Sequence, residues 1–490
     1  MVRGAFCYVV ILVCVVQMAP IALCQAVNFD TSTSPYLSST HADFNSDGRE
    51  DFINDTGCSG GFGLALSTGD STWAAPGCYT LPNNAPAYYF AIGDFNGDGN
   101  ADLIISNETN TIYEYLGSPT GELHLHSMMT ASVGVLTMVA ADVNRDGKMD
   151  LLFWGGDNNL WVWFGNGDGT FRVGPSTPMA GGGGWLSIGD FDGDGKADVF
   201  SALGSEGGTT YQVFYGDGTG HFQPSPPVVS GKAGYVVYDV NGDGRSDLIA
   251  QLFYFSINGN TYYKVIEVQF GNADRTFTRE TIPLAHCDSW GGPPAVADLN
   301  GDGINDIAET EAADCKGDPP DTFNVLIGNP NGTYEPEQVI FTGNTTETLS
   351  EAYVVRANRD TKPDLLGFFS SGGTANLVFT NTTTGNFPDC NAPNSYTGIA
   401  VCSPGTNVLS SSPVKFSIGA ANQTPGREVQ VWVDGKKVAQ QFAHAFSYYT
   451  FLDAQVELSS GNHTVKVISI GWDGLQESVS FPLTVGGGPS

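Results

Sequence analysis

The sequence predicts an all-β chain, a seven-bladed β-propeller followed by an immunoglobulin-like β-sandwich. Three observations carry that expectation. A nine-residue acidic motif returns about every 50 residues along the chain. Between its copies lie alternating apolar runs broken by Gly-rich turns, with no helical stripe. After Cys390 the motif stops and further alternating runs follow. Composition agrees: 63 glycines and 11% aromatic residues suit many short strands joined by tight turns.

Taken in order, residues 1–24 read as a secretory signal. Arg3 is the positive end, Phe6 to Val16 the apolar stretch, and small residues around Cys24 a cleavage site. The run is short for a membrane span and no later stretch reaches about 18 apolar residues, so no integral membrane segment is expected after cleavage. The mature chain is expected to be secreted, extracellular or at a cell surface. Six cysteines then remain, and in an exported chain they suggest disulfides. Proximity favours Cys58–Cys78, Cys287–Cys315 and Cys390–Cys402, among the pairings that six cysteines allow.

Residues 25–390 carry the repeat. The motif reads DFNSDGRED from Asp43, DFNGDGNAD from Asp94, DVNRDGKMD from Asp142, DFDGDGKAD from Asp190, DVNGDGRSD from Asp239 and DLNGDGIND from Asp298. A degenerate copy, RANRDTKPD, begins at Arg356. A second element recurs between the copies, as in WVWFGNGDGTF from Trp161 and VQFGNADRTF from Val268. One unit thus holds four short strands: before the acidic loop, after it, the FG-type strand, and the strand after the Gly-rich turn. A four-stranded unit cannot bury both of its faces alone, and repetition around an axis solves this. Val27 to Ser38, with Phe29 at the place of the post-turn aromatic, is expected to supply a strand that closes the ring.

The loop's chemistry points to a hard cation. Oxygen-bearing residues stand at positions 1, 3, 5 and 9, Gly at position 6 supplies a positive φ, and position 7 offers its backbone carbonyl. The expected ligands are Asp43, Asn45, Asp47, Arg49 and Asp51; Asp94, Asn96, Asp98, Asn100 and Asp102; Asp142, Asn144, Asp146, Lys148 and Asp150. The remaining loops offer Asp190, Asp192, Asp194, Lys196 and Asp198; Asp239, Asn241, Asp243, Arg245 and Asp247; Asp298, Asn300, Asp302, Ile304 and Asp306. Such an all-oxygen set suits Ca²⁺, about six ions in all, and leaves nothing for a soft metal. Two carboxylates about 4 Å apart repel by roughly 4 kcal/mol at an effective dielectric of 20, so the loops without a cation would be costly. A solvated acidic turn would explain the charge but not the spacing. An EF-hand is excluded, because strand patterns flank the loops. In the seventh copy Arg356 replaces the first Asp and Thr361 the Gly, while Asn358, Asp360 and Asp364 remain.

These residues resemble the FG-GAP/VCBS repeat family, known from integrin α-subunit propellers and exported bacterial proteins. The resemblance runs from about Asp43 to Phe387 and implies a seven-bladed propeller with Ca²⁺ in a hairpin loop of each blade, on one face of the disc. It does not fix a function, since the family also includes lectins and propellers associated with polysaccharide-cleaving enzymes.

Residues 391–398 read as a linker and 399–490 as the sandwich, with strands VKFSIGA, EVQVWVDGKKV, YYTFLDAQVEL, HTVKVISI and VSFPLTV. The net charge of −32 rules out a surface for nucleic acid or anionic lipid. Catalytic motifs are sparse. Gly57-Cys58-Ser59-Gly60-Gly61 matches a nucleophile elbow, but it follows an acidic loop in a β unit. His124 and His126 could share one strand face, with no third ligand at zinc spacing. Trp154, Trp161, Trp163 and Trp185 are expected to pack between sheets or, alternatively, to form a sugar-stacking platform. Sequons stand at Asn54, Asn107, Asn331, Asn344, Asn381, Asn422 and Asn462. The reading is therefore a non-catalytic, calcium-binding adhesion or ligand-binding scaffold with a protein or glycan ligand. A polysaccharide-acting enzyme or its carbohydrate-binding part, and a structural spacer, are the alternatives. Oligomeric state is not legible.

Overall fold

The computed structural model describes residues 27–486 except 35–36, 55–57, 181–182, 206–207, 231–233, 256–261, 285–291, 312–320, 330, 344–348, 370–375, 386, 388–389, 391–392, 394–396, 406–408, 423–425, 443–448 and 473. The expected signal segment, the Cys287–Cys315 pair, Asn344 and most of the linker lie outside the described residues. Two disulfides, Cys58–Cys78 and Cys390–Cys402, are formed as sequence proximity suggested.

Each repeat unit folds as one antiparallel sheet, and seven such sheets occur among the described residues. We number sheets and loops 1–7 by the acidic motif each carries. Sheet 2 shows the pattern: Tyr89–Gly93, Asp102–Ser106, Thr111–Leu116 and His124–Thr130 pair in chain order, with the acidic loop between the first two strands. In sheet 4 the outer edge is divided between Phe222–Pro224 and Val228–Ser230.

The second strands explain why sheets stack around an axis. They open on Asp and continue as near-unbroken apolar runs, such as DLIIS and DLLFWG, which need cover on both faces. Leu103 and Ile105 pack towards sheet 1 with Ile53 and Phe62, whereas Ile104 packs towards sheet 3 with Leu151 and Phe153. Equivalent clusters fill the junctions between sheets 3 and 4, 4 and 5, 5 and 6, and 6 and 7. Phe52 and Ala65 of sheet 1 meet Leu366 and Val378 of sheet 7, so the ring is closed by packing. First strands of sheets 2 and 3, 3 and 4, 4 and 5, and 6 and 7 touch one another, which places the first strands innermost.

The chain's beginning also closes the ring. Phe29–Ser34 is the outer strand of sheet 7, paired from Phe29↔Asn381 to Ser34↔Asn376. Phe29 stacks edge-on against Phe379 and joins the core between sheets 6 and 7. Without this strand, Asn376–Asn381 would be an exposed edge.

Residues after 397 form two packed sheets. One contains Gly398–Ser403, Val414–Ala421 and Tyr449–Val456; the other contains Leu409–Ser410, Gln476–Val485, Gly461–Gly471, Gly426–Val433 and Lys436–Phe442. Phe416, Ile418, Val431, Val467 and Leu483 lie in the core between them. The run EVQVWVDGKKV, read from sequence as one strand, is a hairpin. Asp434 and Gly435 both have positive φ, as a tight two-residue hairpin turn requires.

A chain lacking residues 27–38 loses the closing strand. Its melting temperature is expected to fall by about 5 °C or more, since each ~1 kcal/mol moves a large domain by about 2–4 °C. An unchanged melt would show that the closing strand adds nothing to stability.

Candidate metal centre

All acidic loops leave the inner strands at the same end, so they encircle the axis on one face of the ring. In loop 2 the Asp98 N–H reaches Asp94 Oδ1 at 3.0 Å and Asn96 Oδ1 at 2.9 Å. The Gly99 N–H donates to Asp94 Oδ2 at 2.8 Å, and the Asn100 N–H to Asp98 Oδ1 at 2.9 Å. The same four bonds recur in loop 1, loop 3 and loop 4. They recur again in loop 5 and loop 6. Side chains 1, 3 and 5 are thereby turned inward onto one turn of backbone. Gly at position 6 has φ between 80 and 85° in all six loops. Position 4 is left-handed as well, including Ser46 and Arg145. Sequence reasoning missed that requirement, although Gly fills position 4 in loops 2, 4, 5 and 6.

Position 9 has a second role that the spacing did not reveal. Asp102 is fully buried; its Oδ2 accepts the Phe95 N–H at 2.8 Å and its Oδ1 accepts the Gly117 N–H at 2.8 Å. One carboxylate thus ties the start of the loop to the end of the third strand. Asp51, Asp150, Asp198, Asp247 and Asp306 make the equivalent pair of bonds. Asp364 does so in loop 7, to Ala357 and Asn381, although that loop lacks the first Asp. One clamp bond leaves each oxygen of Asp102 a lone pair, so clamping and cation binding are compatible there, whereas Asp51 also accepts from the Asn45 N–H and Nδ2. The clamp also explains the glycine of the FG element. A Cβ at Gly165 would lie 2.0 Å from the Met149 carbonyl oxygen, so glycine lets the strand approach there, whereas Ser67 and Asn381 donate the equivalent bond in sheets 1 and 7.

The donor set fits a hard divalent cation. In loop 4 the carboxylates of Asp190, Asp192 and Asp194 offer oxygens all within 4.8 Å of one another. Burial pushes Asp43 and Asp239 up to about 7 and Asp190 and Asp298 up to about 6, with neighbouring carboxylates adding to the rise. Burial likewise raises the clamps Asp51, Asp102, Asp198 and Asp306 to about 8. A bound cation would favour the ionised form of all of them. The position-7 N–H donates to the position-5 carboxylate of the same loop, and in three loops the position-7 side chain neutralises that carboxylate from outside: Arg49 on Asp47, Lys196 on Asp194, Arg245 on Asp243. Loop 7 differs. Asp360 and Lys362 keep their backbone bonds, but neither position 4 nor position 6 is left-handed, and the Arg356 guanidinium is buried at the place of the first Asp.

The other candidates resolve as structure. Cys58 is disulfide-bonded, and Gly61 opens the strand Gly61–Ala65, so the G-x-S-x-G match has no following helix. His124 and His126 are exposed on an outer strand and join no group of three metal-ligating side chains among the described residues. Trp163 is buried, and Trp161 packs on Phe153 while donating to Asp157. Trp185 breaks the packing expectation: it is 62% exposed. Asn54, Asn381 and Asn422 are buried in the fold, whereas Asn331 and Asn462 are exposed.

Two outcomes follow from this geometry. Asp364→Ala should destabilise the fold by about 2–3 kcal/mol for two orphaned N–H groups, and lower the melting temperature equally with and without calcium. Asp98→Ala should instead shrink the calcium-induced gain, since one site held at 100 times its Kd adds about 2.7 kcal/mol. In EDTA the raised carboxylates make the folded state bind more protons than the unfolded state between about pH 4 and 8. Stability without metal should therefore fall as pH rises through that window, and saturating calcium should flatten the slope. A calcium-free melting temperature independent of pH would contradict the assigned burial effects.

Comparison with known proteins follows this geometry. The FG-GAP-like repeat family matches residues 43–105, 142–201, 190–250 and 239–308. No curated protein sequence matches the chain. Among solved structures, BBS1N in complex with ARL6DN, soaked with lead, is similar at 9% identity and a TM-score of 0.46, over 73% of this chain and 98% of that one. The extracellular domain of the putative hybrid two-component system BT3049 from B. thetaiotaomicron is similar at 10% identity and a TM-score of 0.37, over 93% of this chain and 57% of that one. The chain thus carries FG-GAP-like repeats at four positions, set in a closed, propeller-like ring of antiparallel sheets.

Proposed function

We propose that the protein is an exported, non-catalytic binding scaffold, a seven-bladed ring stiffened by about six Ca²⁺. Its protein or glycan ligand engages the face opposite the acidic loops. The observation that carries this reading is the division of the two faces. The C-terminal sandwich, which we read as immunoglobulin-like, packs on the acidic face: Trp472 is buried in the core between sheets 3 and 4, and Tyr449 is buried against Arg356. On the other face, the inner strand of sheet 4 begins at Trp185, 62% exposed, and Tyr88, 51% exposed, directly precedes the inner strand of sheet 2.

An exposed indole beside the axis offers a flat apolar surface, and such rings stack on sugar faces or anchor protein partners. Two disulfides support an oxidising compartment. Among the described residues no helix is long and apolar enough to cross a membrane. Among the described residues Glu309, Glu311 and Glu337 bring carboxylate oxygens within 4.8 Å of one another, but Glu309 and Glu311 are buried and Glu309 accepts from Gln251 and Asn324, so binding without turnover is the reading we hold.

The test is a glycan array with calcium present, alongside a polysaccharide-degradation assay. Binding without release of reducing ends is expected, and Trp185→Ala should weaken it at least about tenfold, the loss of a ~1.4 kcal/mol contact. Binding that ignores Trp185→Ala, or turnover of a bound polysaccharide, would overturn the assignment.

A further inference from the structure

Loop 4 differs from its five intact counterparts in two ways at once. Position 3 is Asp192 where the others have Asn, so the loop carries one more carboxylate. It also receives two guanidinium groups from outside. Arg275, from the outer turn of sheet 5, lies 2.9 Å from Asp192 Oδ2. Arg427, from the C-terminal sandwich, lies 2.9 Å from Asp190 Oδ2, with only 13% of its side chain exposed. Asp190 Oδ2 already accepts the Gly195 N–H at 2.9 Å, and Asp190 Oδ1 the Asp194 N–H at 3.0 Å. Arg427 therefore adds to a carboxylate that is complete in its loop bonds.

The sandwich is held to this spot by more than charge. The Arg427 guanidinium lies 5.8 Å above the ring of Trp472, itself sunk among Val143, Phe164 and Phe222. Arg427 Nε has no hydrogen-bond partner, so its charge is answered chiefly by Asp190. A buried guanidinium without its carboxylate is costly, and a guanidinium beside a divalent cation is repelled. Both draw on the same oxygen.

We propose that Arg427 is the resident counter-ion of loop 4, so that seating of the sandwich and cation loading of that loop oppose each other through Asp190. Asp192 supplies the extra negative charge that answers the second external guanidinium, Arg275, and leaves Asp190 to Arg427. Linkage makes the coupling reciprocal: whatever factor Arg427 takes from cation affinity, a bound cation takes from sandwich seating. The inference rests on the calcium reading above.

Trp472 gives the experiment its probe, because a Tb³⁺ ion in loop 4 would be sensitised by it. Trp73 donates its indole N–H to the Glu50 carbonyl at loop 1, so the full chain is studied in a Trp73→Phe background. The Trp-sensitised Tb³⁺ emission that Trp472→Phe abolishes is titrated, then competed with Ca²⁺. Arg427→Gln should lower its half-saturation concentration about tenfold, within the usual range of coupling between sites. Arg427→Lys, which keeps the charge, should stay within about threefold of the parent and serves if the Gln variant does not fold. Asp192→Asn should raise the midpoint. Emission that saturates at the same concentration in Arg427→Gln and parent, or a Lys variant that behaves like Gln, would overturn the proposal alone. No Tb³⁺ emission from any variant would overturn the calcium reading, and this inference with it.

Discussion

The structure depends on a carboxylate placed where charge is least welcome. In every unit the ninth residue of the acidic motif is an Asp buried between sheets, and its two oxygens tie the loop's second residue to the end of the third strand. A buried carboxylate is tolerated only when its oxygens are satisfied, and two backbone N–H donors do that. Three consequences follow from one residue. The loop's entry is fixed, the third strand must end on a residue that approaches the position-8 carbonyl, and the second strand begins at a set register. Loop 7 separates this function from the first carboxylate and the position-6 glycine, because Asp364 keeps both bonds where Arg356 and Thr361 have replaced them.

Once the clamp is set, the loop geometry leaves a cation as the natural completion. The backbone donors at positions 5, 6 and 7 hold the first and fifth carboxylates, but they carry partial charges and cannot match two or three ionised groups at that spacing. The chain answers locally with basic side chains at position 7 in loops 1, 4 and 5, which reach the outer oxygen of the fifth carboxylate. Ile304 in loop 6 offers no such charge, so compensation by side chains is uneven around the ring. The oxygens facing inward remain, and these form the hard set that suits Ca²⁺. At loop 7 the protein places a guanidinium where the first carboxylate would be, which removes both the repulsion and the demand.

Much of the fold was legible because the repeat shows each decision several times. Gly at position 6 is invariant across six copies and has positive φ in all of them. Phe29 matched the post-turn aromatics and does sit on the outer strand of sheet 7. What escaped reading had either a single copy or two roles. The position-9 Asp looked like a ligand because its type and spacing suited one; its bonds to backbone leave no trace in the sequence. Asp434-Gly435 carried a turn signature, but the apolar alternation on both sides ran through it without a break. Trp185 was grouped with three tryptophans that pack, although it opens an inner strand and they lie within strands of sheet 3.

The contacts between propeller and sandwich were illegible for a deeper reason. Arg427, Tyr449 and Trp472 belong to a segment with no repeat, and their partners lie far off in the chain, at Asp190, Arg356 and the sheet 3–4 junction. Periodicity reports what a unit does for its neighbours and says nothing about a part that meets the ring once. Yet this single contact determines how the molecule presents itself. The face richest in charge, which a reader of the sequence would offer to solvent and ligand, meets the chain's own C-terminal sheets. A Trp buried at that junction is held by apolar area of the order of 25 cal/mol per Å², which salt does not screen. The acidic loops are thus also a docking floor for the C-terminal sheets. On the function proposed above, recognition falls to the opposite rim, where the inner strands begin and Trp185 is exposed.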